Sequence, residues 1–156
     1  MSEYINTLQS RKDEALSGVK SNPGASLKKI LTDLPVRNKN VGPAPPKDDK
    51  AKKKAFEAEC QRVRDVAAQC VLTVLCSIES SKIPNAVKEL NEEERDTLMK
   101  FIYRGFGERE DVEEKGVTKK KATYDCNILL KAHEEVIKAA GGNGPIIRTI
   151  HTRLEV

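Results

Sequence analysis

One long stretch with a hydrophobic stripe, residues 56–78, limits most strongly what this chain can fold into. Its apolar residues recur at steps of three and four, which is the spacing of one face of an α-helix, whereas a strand would need alternation. The apolar positions are Phe56, Cys60, Val63, Val66, Ala67, Cys70, Val71, Val74, Leu75 and Ile78. Residues 70–76 carry no charge, and a helix that is apolar on most sides must be surrounded. The flanking segments are therefore predicted to pack around it.

The flanking segments show shorter helical patterns, and no convincing strand pattern appears. Helices are predicted within residues 2–20, 23–34, 82–90, 92–106, 124–140 and 146–154. Asn22 before Pro23, and Asn91 three residues before Glu94, are typical helix starts. Gly141 and Gly142 are expected to cap the helix over residues 124–140.

Two charged segments are predicted to lie between these helices. Residues 36–50 contain three prolines, one glycine and several charges, and indicate a linker. Gly105 and Gly107 are expected to end the preceding helix with left-handed conformations, and residues 108–121 to form a charged connector. The prediction is an all-α fold, a single compact stack of about six or seven helices around one long central helix. Residues 51–156 would form this helical body, and residues 1–50 an N-terminal arm with short helices and the Pro/Lys-rich linker.

The charge of the chain is unevenly distributed. Residues 1–55 hold 12 Lys/Arg against 6 Asp/Glu, and residues 56–156 hold 16 against 18, which gives +6 and −2. No apolar stretch is long enough to span a membrane, and the N-terminal residues lack an apolar signal core, so an intracellular protein is expected. The four cysteines are expected to be buried free thiols.

Few residues suggest catalysis, and no cofactor or metal site is predicted. His133 lies on an apolar helix face and His151 beside one, and neither has a nucleophile at a signature spacing. No Cys/His spacing fits zinc. An enzyme would need an unrecognised site around His133 and Glu134. The lysines of residues 50–54 and 119–121 leave open a free-standing helical nucleic-acid-binding protein as the alternative.

Residues 98–106 contain three of the six aromatic residues of the chain. Leu98, Ile102 and Phe106 can face inward together, whereas Phe101 lies about 100° from Ile102 around a helix. Aromatic residues that one face cannot bury are candidates for a partner surface. The alternative, that they fill a small core between several helices, stays open.

This segment and several others resemble subunit 5, the small subunit, of the actin-related protein 2/3 complex. The similar segments are residues 63–65 and 71–75, Ala86 and Val87 with Leu90, Leu129 and Leu130 with His133 and Glu134, and residues 139–150 with Thr152, Arg153 and Val156. Their order and spacing are consistent from residue 60 to residue 156, and more weakly over residues 22–35.

The resemblance implies a non-catalytic, all-helical subunit of an assembly that nucleates branched actin filaments. It implies a cytoplasmic location at the actin cytoskeleton, docking on the propeller subunit and on subunit 4, and an arm that tethers the actin-related protein 2 subunit. Actin would be contacted only indirectly, and no nucleic acid would be bound. The candidate interface residues are Phe101, Tyr103, Arg104, Phe106, Ile147, Arg148 and Arg153 in the body, with Tyr4, Ile5 and Leu8 in the arm. The basic charge of residues 1–55 departs from the acidic arm of the family.

Overall fold

The computed structural model describes residues 2–34, 50–114, 117–152 and 156. Over these residues the chain forms seven helices and one two-stranded sheet. In chain order they are α1 (Ser2–Gly18), α2 (Pro23–Leu31), α3 (Lys50–Cys76), α4 (Ile83–Lys88), α5 (Glu92–Gly107), β1 (Arg109–Glu114), β2 (Val117–Ala122), α6 (Cys126–Ala140) and α7 (Gly144–Thr152). The prediction of a mostly all-α fold is confirmed.

Helix α3 is the central element, as predicted. Its last two turns are buried, with Val71, Leu72, Val74 and Leu75 each fully enclosed. It packs against α1, α2, α5 and α6, and each enclosed Leu or Val contributes about 1.5–3 kcal/mol relative to an exposed position. The helix begins six residues before the predicted stretch, and residues 51–55 are exposed. Ala and Lys are good helix formers, so this first part needs little tertiary support.

Local sequence signals predicted three helix ends correctly. The Asn22 side chain accepts a hydrogen bond from the backbone N–H of Ala25 at 3.0 Å. Asn91 and Glu94 form a reciprocal capping box, in which each side chain accepts from the backbone N–H of the other residue. Gly141 is the cap that ends α6, as predicted, and its φ of 70° is left-handed. Each such cap satisfies backbone groups that the helix itself leaves unpaired.

The described part of the N-terminal segment packs on α3. Leu8, Ala15, Val19, Leu27 and Ile30 belong to the same hydrophobic core as the end of α3. A smaller cluster joins Cys60 and Val63 of α3 to residues 4 and 5 of α1. The linker over residues 36–50 lies almost wholly outside the described residues, and the division of the chain into arm and body stays a prediction.

The charged connector is a β-hairpin, so the expectation of no strands was wrong. Strands β1 and β2 pair antiparallel, with Arg109 opposite Ala122 and Asp111 opposite Lys120. Acidic residues dominate one strand and lysines the other. Opposite charges across a strand pair stabilise it, which explains why segments without an apolar alternation form a sheet.

The role predicted for Gly105 and Gly107 was also wrong. Neither glycine has a positive φ; the glycines that do, among the described residues, are Gly141 and Gly142. Gly105 lies inside α5 and is buried. A Cβ atom at Gly105 would lie 2.9 Å from Cδ2 of Leu72 and 3.1 Å from Cδ1 of Leu129. This glycine therefore lets α3 and α6 approach α5 closely.

Three of the four cysteines are sheltered, as expected, and one is not. Cys60 and Cys70 are buried and Cys76 is half-buried, and burial raises the pKa of each of these thiols. Cys126, at the start of α6, is exposed. Within the described ranges, His, Cys, Asp and Glu side chains form no group of three that could hold a metal ion. In the same ranges, every helix is too short or too polar to cross a membrane.

Candidate docking surface

Four large hydrophobic side chains in the described part of the chain stand out by their exposure. They are Tyr103 (36% exposed), Leu130 (57%), Ile147 (56%) and Ile150 (60%). All four belong to α5, α6 or α7, the last three helices. Exposed apolar side chains that recur on neighbouring helices are typical of surfaces that another protein covers.

Helix α7 exposes two of its three isoleucines while it buries a polar residue. Ile147 and Ile150 are three residues apart, so they lie on one face of the helix, and we name them the α7 patch. Thr149 is 1% exposed, and its hydroxyl has no hydrogen-bond partner among the described residues. An unpaired buried hydroxyl costs free energy, and exposed isoleucines forgo hydrophobic stabilisation. The packing of α7 is therefore incomplete in the isolated chain.

An arginine fastens α7 to α5. Nη2 of Arg148 donates to Oδ1 of Asp96 at 2.8 Å and lies 3.2 Å from Oε1 of Glu92. Its Nε also donates to Asp96. Hydrogen bonding to Asp96 raises the pKa of the Arg148 guanidinium above its usual value. Because Arg148 is held in this way, the neighbouring α7 patch has a defined orientation.

A second exposed group joins α5 to α6 through aromatic contacts. The rings of Tyr103, Phe106 and His133 meet edge to face, with centroids 5.5 to 6.4 Å apart. The Tyr103 hydroxyl lies 3.3 Å from Nε2 of His133. Leu130 is one turn before His133 on the same helix. We name Tyr103, Phe106, Leu130 and His133 the aromatic patch.

The other predicted interface residues are engaged within the chain. Phe101 is 1% and Leu8 0% exposed, so both belong to the hydrophobic core. Ile5 is half-buried against Cys60 and Val63 of α3. The Tyr4 hydroxyl donates to the backbone oxygen of Asp33. Core filling, the alternative that the sequence left open, describes Phe101 in this structure. Contacts of these residues with another subunit stay predictions, and Arg153 lies outside the described residues.

Arg104 ties α3 to the end of α5. Its Nη1 donates to the backbone oxygen of Arg64 at 3.2 Å, its Nε to Oε1 of Glu108 at 3.2 Å, and its Nη2 to Asp65. The side chain is mostly buried. Three directed bonds from one planar group fix the α3–α5 contact. A direct contact of Arg104 with a partner also stays a prediction.

Two exposed residues, Leu130 and Ile150, were not among the interface residues predicted from the sequence. Leu129 and Leu130 are consecutive, as are Ile146 and Ile147. Consecutive helix residues point about 100° apart, so both members of such a pair rarely face the same core. In both pairs the second residue is the exposed one. The doubled leucines were therefore the signal that could have identified Leu130. Ile150 lies between Thr149 and His151 and has no such signal.

The residues considered for chemistry have other partners. Glu134 lies 2.6 Å from Nζ of Lys138 and 3.6 Å from Nζ of Lys131, and its hydrogen bond with Lys138 lowers its pKa. His133 is half-buried in the aromatic patch. Of the lysine clusters, residues 52–54 are exposed on the first part of α3, and Lys120 and Lys121 stand opposite Asp111 and Glu110.

Burial makes His133 a source of pH-dependent stability. Desolvation lowers the pKa of its imidazole below the ordinary value of 6.5. The unfolded chain therefore takes up a proton at this residue before the folded chain does, and stability falls as the pH drops below 6.5 towards the folded pKa. Urea unfolding at about pH 7.5 and about pH 5.5 should show this loss. The variant His133→Gln should lose less over the same interval, and an identical loss in both proteins would contradict the assignment to His133.

Comparison with known proteins decides the family. The family model described as the ARP2/3 complex 16 kDa subunit (p16-Arc) matches residues 48–156. The chain belongs to this family. The matched range contains the described helices α3 to α7, with the hairpin and both patches.

Curated relatives of the chain agree with this result. The human actin-related protein 2/3 complex subunit 5-like protein is 38% identical over 96 residues, which cover 62% of this chain and 54% of the relative. Subunit 5-C of Xenopus laevis is 28% identical over 144 residues, 92% of this chain and 73% of the relative. Subunit 5 of Dictyostelium discoideum is 33% identical over 94 residues, 60% and 57% of the two chains. The chain thus spans about half the length of its mammalian relatives. The resemblance inferred from the sequence is confirmed, and the nucleic-acid-binding alternative receives no support.

Proposed function

We propose that this chain is a non-catalytic structural subunit of an ARP2/3 complex and supports the nucleation of branched actin filaments. The observation that carries the proposal is the p16-Arc match over residues 48–156. The matching relatives are named as subunit 5 of that complex or as a protein like it. The chain would then work in the cytoplasm, at the actin cytoskeleton, by contributing surface to an assembly.

The uncovered apolar side chains support a docking role for the last three helices. Burying each exposed isoleucine of the α7 patch against a partner would contribute about 1–2 kcal/mol from hydrophobic area alone. The aromatic patch adds Tyr103, a residue type enriched in protein interfaces. We propose that these two patches contact the propeller subunit and subunit 4 of the complex.

The N-terminal segment is proposed to contact the actin-related protein 2 subunit. Its formal charge of +6 over residues 1–55 favours acidic surface on that partner. Leu8 and most of the apolar residues of α1 are engaged with α3 in this structure. Contact through the exposed polar face of α1 therefore requires no rearrangement of the core.

Co-purification tests this function. A tag on the full chain, expressed in cells of its source, should recover two actin-related proteins and a propeller subunit. The double substitution Ile147→Asp with Ile150→Asp should reduce this recovery at least about tenfold, because an interface that covers these side chains would then bury two carboxylates. Its circular dichroism and its midpoint of thermal unfolding should stay near those of the parent, since both positions are exposed.

Ala58→Asp on the exposed side of α3 is the matched control, since it also places an acid on an exposed helix position. It should leave recovery unchanged. If the parent chain recovers no actin-related protein, the proposed function is wrong. If the parent recovers them and the double variant does so equally well, the function stands and the α7 patch is not the docking surface.

A further inference from the structure

The hairpin of β1 and β2 has no part in the proposed docking surface. It leaves the helical body where α5 ends and returns where α6 begins, and the backbone N–H of Thr123 donates to the oxygen of Glu108 at its base. Within the described residues the sheet contains these two strands, so each strand has one edge without a strand partner. Two-stranded hairpins are marginally stable in water, and a third strand stabilises them.

The register identifies the backbone groups on the outer edges. Pairs in an antiparallel ladder alternate between hydrogen-bonded and non-hydrogen-bonded. Because the N–H of Thr123 donates to the oxygen of Glu108, these two residues form a hydrogen-bonded pair. Every second pair of the ladder, counted from this one, is therefore also hydrogen-bonded within the hairpin. The intervening pairs are Arg109 with Ala122, Asp111 with Lys120, and Glu113 with Thr118. Their backbone N–H and C=O groups point outward, so each edge offers three residues to a docking strand.

The two edges differ in charge. The sequence of β1 contains four carboxylates, and that of β2 contains three lysines. Lys121 stands opposite Glu110 and Lys120 opposite Asp111, so two carboxylates face cations across the ladder. The remaining two, Glu113 and Glu114, face Thr118 and Val117. Asp111 and Glu113 are two residues apart, so they lie on one face of the sheet, where Glu113 has no cation opposite it.

We propose that the outer edge of β1 binds an extended Lys/Arg-rich segment of a partner protein as a third strand. Backbone hydrogen bonds to Arg109, Asp111 and Glu113 would hold this segment, and its cations would pair with the carboxylates of β1. Charged edges resist pairing with apolar or like-charged strands, so the same carboxylates would provide specificity.

Other occupants fit less well. A second copy that offered its own β1 would set carboxylate against carboxylate, which is destabilising. A second copy that offered its β2 would match in charge, but this head-to-tail contact would repeat into a ring or an open fibre and not into a closed dimer. An acidic partner segment on the outer edge of β2 fits less well, because two of the three lysines of β2 already stand opposite acidic residues of β1.

Peptide binding to the full chain tests the proposal. The probe is a fluorescent peptide of alternating Lys and Thr, and the comparison peptide has Glu in place of Lys. Fluorescence anisotropy should show binding of the Lys peptide, weakening as salt rises, and much weaker binding of the Glu peptide. Equal binding of the two peptides, or binding insensitive to salt, would overturn the proposal.

Two proline variants separate the edges. Asp111→Pro removes an outward N–H from β1, and Lys120→Pro removes the corresponding outward N–H from β2. Neither N–H serves the hairpin itself. The first variant should weaken binding of the Lys peptide at least about tenfold, through the lost hydrogen bond and a displaced strand. The second should bind as the parent does, and an equal loss in both would show that the β1 edge is not the site.

A charge variant keeps the test independent of backbone distortion. Asp111→Asn with Glu113→Gln should weaken binding of the Lys peptide about threefold to tenfold, because these two carboxylates lie on one face of the sheet, where the lysines of the peptide would pair with them. Exposed Glu57 on α3 provides the control Glu57→Gln, which should change nothing. No loss in the double variant would contradict the proposal. Self-association of the full chain in sedimentation, abolished by Asp111→Pro, would instead identify a second copy as the occupant and overturn the proposed partner.

Discussion

Replacing Phe101 with alanine is expected to lower the free energy of unfolding by about 3–5 kcal/mol. The side chain is 1% exposed and is among the largest that the described core encloses completely. Truncation removes the buried ring and leaves a cavity that close-packed neighbours fill only partly. Urea denaturation monitored by circular dichroism would measure the loss, as a lower midpoint at an unchanged slope.

Tyr103→Ala is the matched control for Phe101, because it removes another ring from the same helix at a 36% exposed position. Its loss should be clearly smaller, about 1–2 kcal/mol. A loss below about 1 kcal/mol for Phe101→Ala would contradict the core placement. If the full loss of stability is found, a failure of the Phe101→Ala variant to assemble is explained by its unfolding. Such a failure is then no evidence that Phe101 contacts a partner directly.

Replacing Gly105 with valine is expected to cost about 2–3 kcal/mol through overpacking. The first added carbon would lie 2.9 Å from Cδ2 of Leu72 and 3.1 Å from Cδ1 of Leu129, and valine adds two more methyl groups. These neighbours belong to α3 and α6, so the clash would separate three helices. Thermal or urea unfolding would show the loss.

Gly107→Val provides the control for Gly105→Val. It makes the same change in the same helix, but a Cβ at Gly107 has no atom within 4 Å. It should change stability by less than about 0.5 kcal/mol. The substitution Leu72→Ala, combined with Gly105→Val, should cost less than the sum of the two single changes, since the smaller side chain relieves the clash. Additive losses would show that Leu72 is not the residue that valine displaces.

The sequence predicted the helices and their ends well, because both depend on neighbouring residues. The stripe of α3 and the caps at Asn22, Asn91 and Gly141 are local signals, and all of them are confirmed. Gly105 has the same local appearance as a helix terminator. Its actual role depends on Leu72 and Leu129, which are distant in sequence. The periodicity of α5 alone does not show how closely α3 and α6 approach this glycine.

The hairpin and the candidate surface were less predictable for related reasons. Strands β1 and β2 lack an apolar alternation and pair through opposite charges such as Asp111 with Lys120, a match visible only once the register is known. An amphipathic pattern shows which residues share a face, and it does not show whether that face is covered. Ile150 was therefore not predicted as an interface residue, although 60% of it is exposed.

The distribution of the four thiols makes this chain convenient for spectroscopy. Cys60 and Cys70 are buried and Cys76 is half-buried, and a raised pKa reduces the reactive thiolate of each, whereas Cys126 is open to solvent. A maleimide dye added briefly to the native protein should therefore attach mainly at Cys126. That position follows the end of β2 by four residues, so the dye would report on the hairpin without any engineered cysteine.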